Sequence, residues 1–241
     1  MKTRPEDLEV INHLIFPCIM GTERFIAIPA TSVHMAYNEN AVFQALLSTL
    51  RPKCTIEVGT ETGVTLALMA RYSTKAISID IDPMVKARLA GKFPNTEFIT
   101  GSSHDVLPVL LKRLADAGTT PDFIFIDGDH SAEGVRIDVE HVLSVRPLTQ
   151  MVVLMHDSFN PGCRKGILAA NWSRNPYCHY VELDFSPGVL HPDESCYRQM
   201  WGGLAFALFL PQPRKHTLEV KTTHQLTFEA AFLQSVYCKK T

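Results

Sequence analysis

What this chain lacks narrows its class first. Across 241 residues no apolar stretch reaches the ~20 residues that a membrane-crossing helix needs, so no membrane partner is expected. The start, Met1-Lys2-Thr3-Arg4-Pro5-Glu6-Asp7, has no apolar signal core, which predicts a cytoplasmic protein. Neither sign of charge dominates: 23 Lys plus Arg face 25 Asp plus Glu, for a net charge of -2. A nucleic-acid surface is therefore not expected. The six cysteines, at 18, 54, 163, 178, 196 and 238, never take a CxxC spacing. That suits small buried thiols in a reducing compartment better than a zinc site or a disulfide scaffold. There is no internal repeat and no low-complexity tract.

What is present is a hydrophobic content of 46% and a strand–helix rhythm. Short apolar runs at Thr55–Val58, Ala76–Ile79, Glu97–Thr100, Asp122–Ile126 and Met151–Met155 read as buried parallel strands. Between them, Gly63–Tyr72, Pro83–Gly91, His104–Ala117, Ala132–Val145 and Cys163–Trp172 read as helices. The pattern predicts an α/β fold, a doubly wound, Rossmann-like and mostly parallel sheet. Tyr177–Phe185 and Leu204–Leu210 are two late strands, joined by a long polar connection, Ser186 to Met200, of the kind that forms a lid. Ahead of the sheet, Glu6–Phe16 suggests a short helix and Arg24–Ile28 an extended piece. Asn38 is a candidate N-cap for a helix over Asn40–Leu50. Thr227–Tyr237 carries mixed helix and strand signals. One domain is expected: a cap segment over 1–50, a cofactor core over 51–175, and late strands, lid loop and tail over 176–241.

The turn after the first strand reads Glu57-Val58-Gly59-Thr60-Glu61-Thr62-Gly63. Glycine at such a turn permits positive φ or close backbone approach. Asp80 ends the second strand, where an acid accepts hydrogen bonds from a ribose diol. Together these predict a nucleoside site. A dinucleotide fingerprint needs a middle glycine beside the pyrophosphate, and that position holds Glu61. An acidic loop repels phosphate and suits a ligand that is cationic, such as S-adenosylmethionine. Ser102 and Ser103, after the third strand, are candidates for an adenine edge, with helix capping as the plain role of one of them.

Two polar clusters end the fourth and fifth strands: Asp127-Gly128-Asp129-His130-Ser131 and His156-Asp157. Ligands bind outside the carboxyl ends of such strands, so both clusters face one site. Asp127 and Asp157 are candidate ligands for a hard divalent cation, Mg²⁺ or Mn²⁺. His156 is either a third ligand or a support for one. His130, with a near-neutral pKa, is the candidate base for a substrate hydroxyl. Asp129 either orients His130 or caps the next helix, a role it shares with Ser131.

These segments, with Ile79-Asp80-Ile81-Asp82, Gly134, Val135 and Asp138, resemble class I S-adenosylmethionine-dependent methyltransferases over roughly residues 40–210. The nearest branch is the small-molecule group of sugar and macrolide-sugar O-methyltransferases and proteins labelled cephalosporin hydroxylase. The resemblance implies a seven-stranded sheet whose last strand is antiparallel. It implies that Glu57, Gly59, Thr60, Glu61 and Gly63 hold the methionine moiety and Asp80 the ribose. It also implies metal ligation by Asp127 and Asp157 in members that use one. Catechol-type members carry an amide after the second acid, where this chain has Ser158, and a lysine where it has His130.

Tyr37, Asn38, Asn160, Trp172, His191 and Trp201 are candidate lining residues for the acceptor. Arg164 and Lys165 would suit an anionic one. The expectation is an O-methyltransferase for a hydroxyl of a small polar acceptor, such as a sugar, with homo-oligomerisation compatible. A nicotinamide-dependent oxidoreductase and a non-catalytic nucleoside-binding module stand as alternatives.

Overall fold

In the computed structural model, residues 35–190 and 200–225 are described. The expected elements at Glu6–Phe16, Arg24–Ile28 and Thr227–Tyr237 lie outside them, as do Cys18, His191, Cys196 and Cys238.

The chain alternates as its apolar pattern demands. Helix α1 (Tyr37–Leu50) leads into β1 (Cys54–Val58), α2 (Val64–Tyr72), β2 (Lys75–Asp80), α3 (Pro83–Leu89) and β3 (Thr96–Thr100). Then follow α4 (Ser103–Asp116), β4 (Phe123–Ile126), α5 (Ala132–Val142), β5 (Met151–His156) and α6 (Pro161–Ala169). The late strands are β6 (Cys178–Ser186), β7 (Val189–Leu190), β8 (Met200–Trp201), β9 (Leu204–Phe209) and β10 (Val220–Lys221). The main sheet has the order β10-β6-β9-β5-β4-β1-β2-β3. Strands β1 to β5 pair in parallel, and β9 runs antiparallel to both β5 and β6. The sheet thus holds eight strands rather than the seven expected, because two residues of β10 add in parallel to the edge of β6. A two-residue strand gives no periodic signal in the sequence.

Alternation along the strands divides the core. Phe123 and Phe125 of β4 point to one face, Ile124 and Ile126 to the other, as the two-residue repeat of a strand requires. The first face is covered by α1 and α2 through Phe43, Leu46, Leu47, Leu68 and Met69. The second is covered by α4, α5 and α6 through Leu107, Leu110, Val135, Val139 and Ile167. Phe43 anchors α1 over β4, its ring edge-on to Phe123 at 5.7 Å and to Phe125 at 4.8 Å.

Helix α1 starts at Tyr37, ahead of the expected Asn38 cap, because Glu39 accepts the Ala36 N–H at 2.6 Å. Asn38 instead donates from Nδ2 to Ser186 Oγ (3.1 Å) and to the Pro187 carbonyl (2.9 Å), tying α1 to the end of β6. Within the expected lid connection, β7 and β8 pair as a small antiparallel ladder, Val189 against Trp201. The expected helix over Cys163–Trp172 begins at Pro161 and stops at Ala169, and a separate 3-10 turn spans Trp172–Arg174. Among the described residues no helix is long and apolar enough to cross a membrane.

Phe43 is fully buried and touches both aromatic positions of β4. Phe43→Ala should cost about 3–5 kcal/mol of unfolding free energy. Chemical denaturation followed by circular dichroism checks this, and a loss under 1 kcal/mol, on the order of a surface change, would contradict it.

Candidate active site

The order of the strands reverses between β1 and β4, whose neighbours on the outer sides are β2 and β5. At such a switch point the loops after the two strands part and leave a crevice. The glycine loop follows β1 and the Asp127 cluster follows β4, so both expected sites share one crevice.

Gly59 brings them into contact. Its φ is +82°, and a Cβ added there would lie 2.2 Å from the Asp127 carbonyl oxygen. Any side chain would push the loop off the end of β4. The loop is further fixed from beneath. Asp80 accepts the N–H groups of Thr60 and Glu61, both at 2.9 Å, through one carboxylate oxygen, and the Asp82 N–H through the other. Glu57 is fully buried and accepts the hydroxyls of Thr60 and Thr65. Burial raises its pKa to about 7, the hydrogen bonds from Thr65 and Thr60 opposing the rise. Glu57 therefore sits under the loop as its support, whereas Glu61 lies exposed upon it. Gly63 closes the loop as the N-cap residue of α2. Ser102 is the N-cap residue of α4 and Ser103 its first residue, but the Ser102 hydroxyl makes no cap bond.

Beyond the loop, five ionisable side chains converge. His156 lies with Nδ1 3.0 Å from Asp127 Oδ1 and Nε2 3.4 Å from Glu39 Oε2. Its Nδ1 is also 3.7 Å from Asp157 Oδ1. His130 spans the same two acids on the outer side, Nε2 3.4 Å from Asp127 Oδ1 and Nδ1 3.5 Å from Asp157 Oδ2. Glu39 is 1% exposed and His156 8%, while the His130 side chain is half in solvent. Asp157 adopts φ +57°, a left-handed conformation, and its carboxylate accepts the Gly202 N–H at 3.0 Å.

Carboxylates only accept, so an imidazole bonded to two of them carries both its protons. Burial alone would push the His156 pKa down; the charge and hydrogen bond of Asp127, with Glu39 and Asp157, outweigh it and hold it well above 6.5. The reciprocal holds at Asp127: burial would raise its pKa, but His156 and His130 bring it below the ordinary carboxylate value. At His130 the hydrogen bond to Asp127 is the largest influence, and the pKa is raised.

Other expected residues fall elsewhere. Ser131 caps α5 by accepting the Gly134 N–H, and Asp129 accepts the Ser131 N–H at 2.7 Å. Asn160 caps α6. Trp172 is buried, its Nε1 donating to the Ile167 carbonyl. Arg164 is also buried, in an ion pair of 2.6 Å with Asp184. It thus fastens α6 to β6 and is withdrawn from any anionic acceptor. Tyr37 and Trp201 are exposed. Sequence reasoning missed Glu39 and the Gly202-Gly203 turn. A signal for Glu39 exists: it stands one turn before Phe43 on the apolar face of α1, where a buried acid is informative.

Among the described residues no three acids and imidazoles are arranged to hold a metal ion. The physical reason is that His156, the expected third ligand, directs both ring nitrogens at carboxylates. Asp127 and Asp157 instead share the same two imidazole neighbours, His156 and His130.

Residues 56–158 match a family model described as a methyltransferase domain. No curated protein matches the sequence significantly. Among solved structures, the chain is similar to the O-methyltransferase TomG from Streptomyces achromogenes, in complex with SAM. Identity is 14% and the TM-score 0.54, over 87% of this chain and 91% of that one. It is likewise similar to the O-methyltransferase from Bacillus cereus in complex with SAH. There identity is 14% and the TM-score 0.53, over 87% of this chain and 93% of that one. At these identities the likeness is one of fold.

His156 offers a test by pH. Its folded pKa is raised, so its stabilisation is complete below its unfolded value of 6.5 and is lost as pH rises through the folded value. The difference in unfolding free energy between the natural protein and His156→Gln should be largest near about pH 6 and shrink at alkaline pH. A difference that grows with pH would contradict the imidazolium assignment.

Proposed function

We propose that this chain, whose residues 56–158 match a methyltransferase-domain model, transfers the methyl group of S-adenosylmethionine to a hydroxyl of a small polar acceptor such as a sugar. The observation that carries the reading is the packing of Gly59 on the Asp127 backbone. It sets the end of the nucleoside loop against the acid–imidazole cluster, so that a sulfonium bound by the one faces the other. The SAM and SAH held by TomG and the Bacillus cereus protein support the choice of nucleoside.

Roles follow from position. The loop Gly59-Thr60-Glu61-Thr62-Gly63 and Glu57 shape the methionine site, and the exposed Glu61 supplies negative charge for a cationic ligand. Asp80 and the Ser102-Ser103 turn border the ribose and adenine. The bound nucleoside supplies an electrophilic methyl group; a divalent cation, where present, supplies Lewis acidity at the acceptor oxygen. Asp127 and Asp157 would hold that cation, with water completing its shell as Mg²⁺ commonly requires. His130, half in solvent beside Asp127 and Asp157, takes the proton of the acceptor hydroxyl. The Asp127 hydrogen bond raises its pKa above 6.5, so the unprotonated base gains as pH rises and transfer rises with pH.

A second reading is favoured by one observation: two imidazoles already lie between Asp127 and Asp157. In that reading His156 and His130 neutralise the acids and no cation is used. Among the described residues Cys54, Cys163 and Cys178 are free thiols, which supports a cytoplasmic setting.

Isothermal titration calorimetry should show S-adenosylmethionine and S-adenosylhomocysteine binding to the natural protein. Absence of both would overturn the methyl-transfer reading, and quenching of nicotinamide fluorescence instead would favour an oxidoreductase. His130→Ala should keep that affinity and lower kcat by about 10²–10⁴-fold, the range of general base catalysis. EDTA separates the two readings of the cluster: loss of transfer restored by Mg²⁺ supports a cation at Asp127 and Asp157, and undiminished transfer supports the imidazole-only site.

A further inference from the structure

We propose that Glu39, on helix α1, is a positioning residue of the active site, holding the His156 ring and, through it, Asp127 and His130. The inference rests on the methyl-transfer reading for its purpose but not for its geometry.

Glu39 has more partners than a helix start requires. In an ordinary capping arrangement the acid in the first turn reaches back to the N-cap N–H and otherwise faces water. Glu39 does accept the Ala36 N–H. It is nevertheless 1% exposed, and it also accepts the N–H of Gly203, far away in sequence at the start of β9. Its remaining contact is His156 Nε2, at 3.4 Å. Burying a carboxylate is costly unless it is paired and hydrogen-bonded. Two backbone donors and an imidazole meet that requirement here.

The surroundings are shaped around this carboxylate. Gly202 has φ +74°, and a Cβ added there would lie 2.4 Å from Glu39 Oε1. The neighbouring N–H groups of Gly202 and Gly203 point at two acids, Asp157 and Glu39 respectively. One turn of α1 away, Phe43 is wedged on β4 and fixes the helix to the strand that ends in Asp127. Glu39 and Phe43 stand four residues apart and so share a face of α1.

The result is an unbroken chain of contacts: Glu39 to His156, His156 Nδ1 to Asp127 Oδ1 at 3.0 Å, and Asp127 Oδ1 to His130 Nε2 at 3.4 Å. An imidazole held at one nitrogen only can rotate about its side-chain bonds; held at both, its plane is fixed. Glu39 supplies the second hold. Asp127 thereby presents the same oxygen to His130.

The test is spectroscopic and needs no acceptor. Long-range proton–nitrogen correlation spectra of the histidine rings are recorded on full-length protein: natural, Glu39→Gln, and Phe43→Leu as a control for general loosening of α1. Glu39→Gln should shift the ring signals of both His156 and His130, while Phe43→Leu lowers Tm and leaves both in place. Should Glu39→Gln not fold, Glu39→Asp withdraws the charge by one methylene and should shift the same signals. Unmoved His130 signals in the Glu39 variant, or equal shifts in the Phe43 control, would overturn the proposal. Calorimetry with S-adenosylhomocysteine on the natural protein reports separately on the methyl-transfer reading, so the two can fail independently.

Discussion

The structure turns on one imidazole placed among three acids. Glu39, Asp127 and Asp157 come from α1 and from the ends of β4 and β5, and all three have an oxygen within 3.0–3.7 Å of a His156 nitrogen. Like charges gathered at partly dry strand ends repel, and their repulsion is little screened there. A cationic partner inside the cluster therefore offsets the cost of bringing the three acids together. His156 fills that role with a side chain that donates in two directions, and it joins a helix to two strands in doing so.

The same cluster accounts for how the late part of the chain is held. Strand β9 enters the sheet antiparallel between β5 and β6, and the turn before it offers two consecutive N–H groups. These bind Asp157 and Glu39, so the antiparallel strand is registered against the acids as well as against β5. On the other side, the glycine loop rests on Asp127 through Gly59. Glycine loop, acid cluster and late turn thus meet around one crevice.

Much of this was legible in the sequence, and the reasons differ by element. Strands β1 to β5 and the helices between them read correctly because each is an apolar run bounded by polar or glycine turns. Asp127, His130, His156 and Asp157 were legible because polar residues directly after buried strands have few structural reasons to be there. Glu39 was not, since its partners His156 and Gly203 are brought to it only by the crossover of the sheet. Strand β10 was too short to show a period. Arg164 suited an anionic acceptor by residue type, but its partner Asp184, far along the chain on β6, could not be read from the sequence. Ser102 looked like a cap by type, yet its hydroxyl makes no cap bond.

The central claim is that the glycine loop and the acid–imidazole cluster form one methyl-transfer site. A crystal structure with S-adenosylhomocysteine tests it most directly. The account predicts the ribose at Asp80, the loop from Gly59 to Gly63 around the methionine moiety, and the sulfur facing the space beside His130 and Asp127. A nucleoside bound elsewhere, or one whose sulfur points away from that cluster, would contradict it.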